Sequence, residues 1–336
     1  MKKFINDPKN FVDEMLEGLY AAYPQYITHT EDSLRSLVIK NKKMGKVGIA
    51  TGGGSGHLPL FLGYVGKGML DGCAVGDVFQ SPSAEEMLSV TKDIDQGAGV
   101  LYIYGNYNGD IFNFTMASEM AEMEEDIQVK QVIAGEDVAS GKRAEEGQRN
   151  LRRGVAGIVF VYKCAGAAAD QMMTLDQVQK VALKASNQVA TMGVALSPCT
   201  VPMVGHPSFT LGEDEMEIGM GIHGEPGIRR GKIQTADEVV TEMLIPIIED
   251  LKLKEKDEVA VLINGLGATP LEEQFVIHRK INEILTGKDI SIYKTYVGEF
   301  ATSLEMAGFS ISILKLDEEL KGYIDYPADT PFFKQF

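Results

Sequence analysis

Three side chains that can carry acid, base or nucleophilic chemistry lie in glycine-rich segments. His57 ends the run GGGSGH, Asp110 ends the run GNYNGD, and His223 lies within GMGIHGEPG. Clustered glycines indicate unusual backbone angles or the close approach of another group. A histidine there can act as a nucleophile or exchange protons, and an aspartate can act as a general base. His223 is the side chain of its segment best suited to act as a nucleophile.

Each of these residues also has an ordinary structural explanation. His57 could be the first residue of a helix after a tight turn, and Asp110 could cap a helix. The other histidines are expected to be structural or exposed (His29, His206 and His278). No two histidines have the HxH or HxxxH spacing of metal ligands, so no metal is expected. The run before His57 lacks the Lys-Ser/Thr ending of a Walker phosphate loop, and no cofactor motif is apparent.

Two of the glycine-rich runs follow short apolar stretches that are typical of buried strands. Lys46–Thr51 leads to His57, and Val100–Tyr104 leads to Asp110. Ligand sites in parallel α/β sheets lie at the carboxyl ends of the strands. We therefore expect His57 and Asp110 to border one crevice.

The remaining pattern alternates between strands and helices. Helices are predicted for residues 8–23 and 174–192, and capping boxes at Ser83 and Thr235 begin two more. Further strands are predicted for Gln131–Ala134, Ile158–Tyr162, Glu258–Asn264, Ile290–Tyr296 and Ser310–Leu316. The charged segment Gly135–Arg149 is expected to be a mobile surface loop.

This alternation predicts an α/β protein with two α/β domains, each a mostly parallel sheet flanked by helices. The first domain, residues 1–185, would carry the ligand loops around His57 and Asp110. The second, residues 186–336, would carry His223. No Pro/Ser-rich linker marks the boundary.

Composition limits the possible partners and location. The 336 residues carry a formal charge of −16, with an isoelectric point near 4.8, and clusters of Lys and Arg are short. Direct binding to nucleic acid or to an anionic membrane is therefore not expected. Cys73, Cys164 and Cys199 are widely spaced, which favours a reducing compartment. The amino terminus lacks the apolar core of a signal peptide, so a cytoplasmic protein is expected.

Taken together, the glycine-rich motifs resemble the dihydroxyacetone kinase K-subunit family, DhaK. The similarity runs from Ile5 to about Leu316. The motifs that carry it are GGGSGH (52–57), NYNGDIFNF (106–114), GIHGEPG (221–227), RRGVA (152–156), CTVP (199–202), PSFTL (207–211) and NGLGATPL (264–271). Several long motifs in one order are far more specific than any single glycine loop.

The resemblance implies a homodimer of two-domain α/β subunits that holds dihydroxyacetone. His223 matches the family's histidine that adds to the ketone as a hemiaminal. His57 matches its acid/base histidine and Asp110 its catalytic aspartate, while the backbone from Gly54 through Ser55 and Gly56 to His57 would contact the ligand's hydroxyls. In the bacterial members the phosphoryl donor lies on separate subunits, in agreement with the lack of a nucleotide motif here.

Two positions depart from the kinase members of the family. Gly105 stands where they usually have a lysine, and Leu58 stands where they have a glutamate after the loop histidine. Loss of the lysine removes a cation that could stabilise phosphoryl charge. The departures favour a ligand-sensing paralogue like the coactivator DhaQ, which works with a TetR-type regulator. Retention of Asp110 favours the alternative, the substrate-binding subunit of a phosphotransferase-dependent kinase for dihydroxyacetone or another short ketose such as erythrulose.

Overall fold

The computed structural model describes residues 2–144 and 150–336. In that part of the chain, helices lie on two large β-sheets. The helices are α1 (Phe11–Ala22), α2 (Ala84–Ile94), α3 (Asn108–Glu125), α4 (Ile158–Asp170), α5 (Leu175–Asn187), α6 (Ala236–Asp250), α7 (Leu271–Gly287) and α8 (Glu318–Asp325).

The strands of the first sheet come from the first 134 residues. They are β1 (Ile27–His29), β2 (Ser36–Ile39), β3 (Gly48–Ser55), β4 (Gly72–Val78), β5 (Val100–Gly105) and β6 (Val129–Ala134). Their order is β1-β2-β4-β3-β5-β6, and β4, β3, β5 and β6 are parallel to one another. Helices α2 and α3 pack on one face, and α4 and α5 on the other. The carboxyl ends of β3 and β5 thus lie side by side, as predicted.

The strands of the second sheet are β7 (Val189–Ala195), β8 (Glu215–Ile218), β9 (Arg229–Lys232), β10 (Glu258–Gly265), β11 (Ser291–Glu299) and β12 (Gly308–Leu316). Their order is β11-β10-β12-β7-β8-β9, and a small separate ribbon joins β13 (Ala328–Asp329) to β14 (Lys334–Gln335). Only the β10–β11 pair of the large sheet is parallel. Two β-sheets flanked by helices are confirmed. The prediction that both sheets are mostly parallel is wrong for the second sheet. Apolar runs mark strands without specifying their direction.

The run Ile158–Tyr162, predicted as a strand, begins helix α4 instead. Every residue of α4 from Ile158 to Ala169 is buried. The reason is its position, because it packs on β3 and β5 while its core cluster also contains Leu262 and Leu314 from the second sheet. A helix covered on all sides has no polar stripe, so its sequence is uniformly apolar, like that of a buried strand.

Other predicted boundaries differ in smaller ways. The capping boxes at Ser83 and Thr235 are confirmed by reciprocal hydrogen bonds. The helix predicted for residues 174–192 ends at Asn187, because β7 begins at Val189. The boundary predicted at residue 185 falls in the last turn of α5 and stays a prediction. Of the segment Gly135–Arg149, residues 145–149 lie outside the described part of the chain.

Candidate functional site

The two histidines predicted for the site lie against each other, although 166 positions separate them in sequence. The ring centroids of His57 and His223 are 4.8 Å apart, with an interplanar angle of 79°. Phe79 stacks on His57 at 4.8 Å, and the edge of Tyr107 meets His223 at 4.8 Å. The histidine pair is therefore flanked by aromatic rings.

His57 lies two residues after the end of β3 and is almost fully buried, at 1% exposure. Its Nδ1 lies 2.7 Å from the backbone oxygen of Thr302. Because a carbonyl oxygen can only accept, Nδ1 carries the ring proton and Nε2 presents a lone pair. Among the described residues, this Nε2 has no hydrogen-bond partner. Burial, together with the neighbouring His223, lowers the pKa of His57 to about 3, so the ring is neutral at physiological pH.

His223 lies in the connection between β8 and β9, where Glu225 fixes its orientation. The imidazole Nδ1 donates to Glu225 Oε1 at 2.9 Å, and the backbone N–H of His223 donates to Oε2 at 3.0 Å. Burial acts to raise the pKa of Glu225, but the hydrogen bond from His223 and nearby positive charge bring it down to about 2. A carboxylate on Nδ1 leaves the Nε2 lone pair of His223 available as a nucleophile.

Asp110 is the third residue of α3, and Tyr107, rather than Asp110, occupies the capping position. Its side chain is buried, and its Oδ1 has no hydrogen-bond partner within the described part of the chain. Burial raises the pKa of Asp110 to about 6, opposed by the nearby Ser81 hydroxyl and by His223. The carboxyl therefore lies within electrostatic reach of His223 and titrates near neutrality, which suits a general base.

The glycine run before His57 is the end of β3, which was predicted to stop at Thr51. A Cβ at Gly54 would lie 2.5 Å from the backbone nitrogen of Gln80, and one at Gly56 would lie 2.8 Å from the Phe79 ring. Only glycine permits this approach. The Ser55 hydroxyl donates to the Gly76 oxygen at 2.8 Å, so its donor is already used.

Several residues that shape the site were not assigned a role from sequence. Glu225 could have been found, since it follows His223 by two positions in the same motif. Phe79 and Thr302 carry no local signal, because long-range packing alone brings them to His57. Tyr107 was recognised only as part of a motif.

Arg153 ties the segment that follows β6 to the segment that carries His223. Its guanidinium donates to Asp137 Oδ2 at 2.8 Å and to the backbone oxygen of Gly219 at 2.8 Å. Its charge also helps to lower the pKa of Glu225. The RRGVA motif thus contributes a contact that holds the segment of His223 in place.

The two departures lie at the edge of this site. A Cβ at Gly105 would meet the Tyr107 ring at 3.1 Å and the Gly154 oxygen at 3.5 Å. The Tyr107 ring therefore borders the volume that a longer residue would enter. Leu58 is half-buried and packs against the main hydrophobic core.

Neither a metal centre nor a membrane span is found in residues 2–144 and 150–336. No group of three or more side chains there could ligate a metal ion. No helix in the same ranges is long and apolar enough to cross a bilayer.

Solved structures resemble this one over nearly the whole chain. The dihydroxyacetone kinase operon co-activator Dha-DhaQ superposes with a TM-score of 0.88 at 31% identity, covering 96% of this chain and 98% of its own. The dihydroxyacetone kinase of C. freundii in complex with AMP-PNP and Mg²⁺ gives a TM-score of 0.87 at 30% identity, covering 99% of this chain and 61% of its own.

Relatives identified by sequence share a higher identity with this chain than these two structures do. The dihydroxyacetone-binding subunit DhaK of PTS-dependent dihydroxyacetone kinase 2 from Listeria innocua is 45% identical over 335 residues, 99% of each chain. The corresponding subunit of the PEP-dependent kinase from Escherichia coli is 38% identical over 98% of each chain. A Dak1 domain model matches residues 17–332. The chain therefore belongs to the Dak1 family, together with the DhaK subunits that it resembles from end to end.

Proposed function

We propose that this protein binds dihydroxyacetone, or a closely related short ketose, as a hemiaminal on His223. The observation that carries the proposal is the hydrogen bond from His223 Nδ1 to Glu225, 2.9 Å long. It fixes the tautomer with a free Nε2 lone pair, next to the buried acceptor on His57. Relatives named for dihydroxyacetone binding support this ligand class.

The addition needs no leaving group. The Nε2 lone pair of His223 bonds to the carbonyl carbon, and the π electrons of the C=O bond move to oxygen, which takes up a proton from solvent. The Nδ1 proton is released to solvent in exchange, which returns the ring to its neutral form. The Glu225 carboxylate stabilises the positive ring in between.

Two buried acceptors match the two hydroxyl groups of dihydroxyacetone. His57 Nε2 and Asp110 Oδ1 both lack hydrogen-bond partners in the described residues. A buried polar atom without a partner costs about 1–3 kcal/mol, which a donating ligand hydroxyl would recover. Glycerol has the same hydroxyls but no carbonyl, so it cannot form the bond to His223.

A crystal soak with dihydroxyacetone tests the covalent bond directly. We expect continuous density between His223 Nε2 and the ligand's carbonyl carbon. The His223→Ala variant should lose high-affinity binding in calorimetry. Density for an unattached ketone, or unchanged affinity in the variant, would refute the proposal.

We further propose that binding serves sensing, with this protein acting as a coactivator for a TetR-type regulator of a dihydroxyacetone operon. Three observations support this role. Gly105 provides no cation at the rim, Leu58 provides no carboxylate beside His57, and the solved co-activator Dha-DhaQ has a similar fold. The formal charge of −16 suits contact with a regulator better than contact with DNA.

Phosphorylation of the bound ketose is the second candidate function, and Asp110 favours it. A buried carboxyl with a free oxygen and a pKa of about 6 can take the proton of a substrate hydroxyl at neutral pH. The most similar relatives named above are kinase subunits. In that role the partner would be a nucleotide-binding kinase subunit, and in either role we expect a homodimer in the cytoplasm.

One assay separates the two roles. The protein is mixed with the nucleotide-binding subunit, a phosphoryl donor and dihydroxyacetone, and dihydroxyacetone phosphate is measured. Sensing predicts no turnover in the wild type and ligand-dependent binding to the regulator. Robust turnover would reject the sensing role. The Gly105→Lys variant tests the role of the missing cation. Turnover in this variant but not in the wild type would show that phosphoryl transfer is absent because the cation is absent.

A further inference from the structure

The amide of Asn264 makes an unusually complete set of hydrogen bonds in the interior. Asn264 is fully buried near the end of β10. Its Nδ2 donates to the Ala301 oxygen at 2.8 Å and to Ser310 Oγ at 3.0 Å. Its Oδ1 accepts from the backbone nitrogens of Phe300 at 2.8 Å and Ala301 at 2.7 Å. The amino group and the carbonyl oxygen of one amide therefore both hold the start of the loop after β11.

The residues that follow Asn264 bind the same loop through their backbone. Ser303 N–H donates to the Leu266 oxygen at 2.9 Å. Gly267 has a φ of +117°, and a Cβ there would lie 1.8 Å from the Leu304 oxygen, so the position requires glycine. The motif NGLGATP thus forms a rigid support for the loop of residues 300–304, hereafter the support loop.

The opposite side of the support loop holds both histidine segments. Thr302 presents its carbonyl to His57 Nδ1 at 2.7 Å, and its own N–H donates to the His57 oxygen at 3.2 Å. Ser303 Oγ donates to the oxygen of Ile222 at 2.5 Å, directly before His223. Asn264 itself touches neither histidine in these contacts.

We propose that Asn264 is a positioning residue, which sets the tautomer of His57 and the relative placement of His57 and His223 through the support loop. The effect of Asn264 on ketone binding rests on the proposed function. The effect of Asn264 on the His57 tautomer is independent of that function. Without the four hydrogen bonds, the Thr302 carbonyl is held less firmly at Nδ1. A fraction of His57 then carries its proton on Nε2, where it can no longer accept from a ligand.

The test compares Asn264→Asp and Asn264→Ala with the wild type. An ionised aspartate keeps both contacts to the nitrogens of Phe300 and Ala301 but cannot donate to the Ala301 oxygen. Ring ¹⁵N spectra of histidine-labelled protein report the tautomer without any ligand. We expect one Nδ1–H form of His57 in the wild type and an increasing Nε2–H fraction from Asp to Ala. The dissociation constant for dihydroxyacetone should rise in the same order, by about ten- to a hundredfold in the Ala variant.

Thr91→Val is the control for a general loss of buried hydrogen bonds. Thr91 is fully buried on α2, where its hydroxyl contacts the Met87 oxygen and Tyr102, remote from the support loop. This variant should keep both the tautomer and the affinity. Ser303→Ala should weaken ketone binding while leaving His57 in its single tautomer, because it removes the hydroxyl contacts to Ile222 and Cys199 and leaves the Thr302 carbonyl in place.

An unchanged tautomer and affinity in a folded Asn264→Asp or Asn264→Ala protein would overturn the proposal. If the Ala variant does not fold, the Asp variant alone tests the proposal, since the aspartate and asparagine side chains have nearly the same size. If the wild type fails to bind the ketone, the proposed function fails, and the tautomer comparison still decides the role of Asn264.

Discussion

The burial of His57 predicts a specific dependence of stability on pH. His57→Asn is the informative perturbation, because an asparagine amide can donate to the Thr302 oxygen in place of Nδ1 yet cannot titrate. The packing against Phe79 is reduced in the variant at every pH. The change in stability between two pH values therefore isolates the ionisation of His57.

The magnitude follows from proton linkage. Burial lowers the pKa of His57 from its ordinary value of 6.5 to about 3. Below pH 6.5 the unfolded chain binds a proton that the folded chain excludes, so acidification destabilises the wild type until the folded pKa is reached. Between pH 8.0 and 5.5 this contribution amounts to about 1.4 kcal/mol. The variant lacks it, while the contributions of other groups are common to both proteins.

Urea denaturation followed by far-UV circular dichroism at both pH values measures the difference. Both pH values lie above the isoelectric point of about 4.8, so the protein stays anionic. We expect the wild type to lose about 1.4 kcal/mol more than His57→Asn on acidification. Equal losses in the two proteins would refute the assignment of a buried, neutral imidazole at position 57.

Three further predictions concern the site's other residues. Asp110 has a pKa of about 6, so calorimetry should show ketone affinity falling as the pH drops through 6 in the wild type but not in Asp110→Asn; a flat wild-type profile would contradict this. Glu225→Gln should raise the ketone dissociation constant about tenfold or more, because a charge-assisted hydrogen bond contributes about 1.5–3 kcal/mol; an unchanged constant would show that the carboxylate is dispensable. Gly54→Ala should lower the free energy of unfolding by about 1–3 kcal/mol through its clash with Gln80. Its control is Gly18→Ala, where nothing lies within 4 Å of the new methyl group, and equal stabilities of the two variants would argue against the clash.

Three of the six strands of the first sheet, β3, β5 and β6, follow from the sequence. Val100–Tyr104 forms most of β5, and Gln131–Ala134 forms most of β6. Buried parallel strands are continuous apolar runs, so periodicity and length identify them. The same rule gave the wrong result at Ile158–Tyr162, because the buried segment extends to Ala169 with Lys163 as its one charged residue. Its length, greater than that of an ordinary strand, was the signal for a buried helix.

Glycines near the site show a second limit of sequence reasoning. The run from Gly52 to Ser55 has the composition of a loop, yet all of it is β-strand. A Cβ at Gly53 would lie 2.3 Å from the Phe61 ring, and the close neighbour of Gly54 is Gln80. Glycine was needed for close packing between segments, and a sequence does not record which segment approaches.

The assembly of the site explains why its chemistry could be anticipated better than its geometry. His57 and Asp110 follow neighbouring strands of the first sheet, whereas His223 and the support loop belong to the second. The tautomer that each histidine presents depends on a partner, Glu225 in one case and the Thr302 carbonyl in the other. Residue types revealed which groups could react. Which nitrogen is free is determined locally by Glu225 for His223, whereas for His57 it depends on long-range packing that brings the support loop of the second sheet to the end of β3.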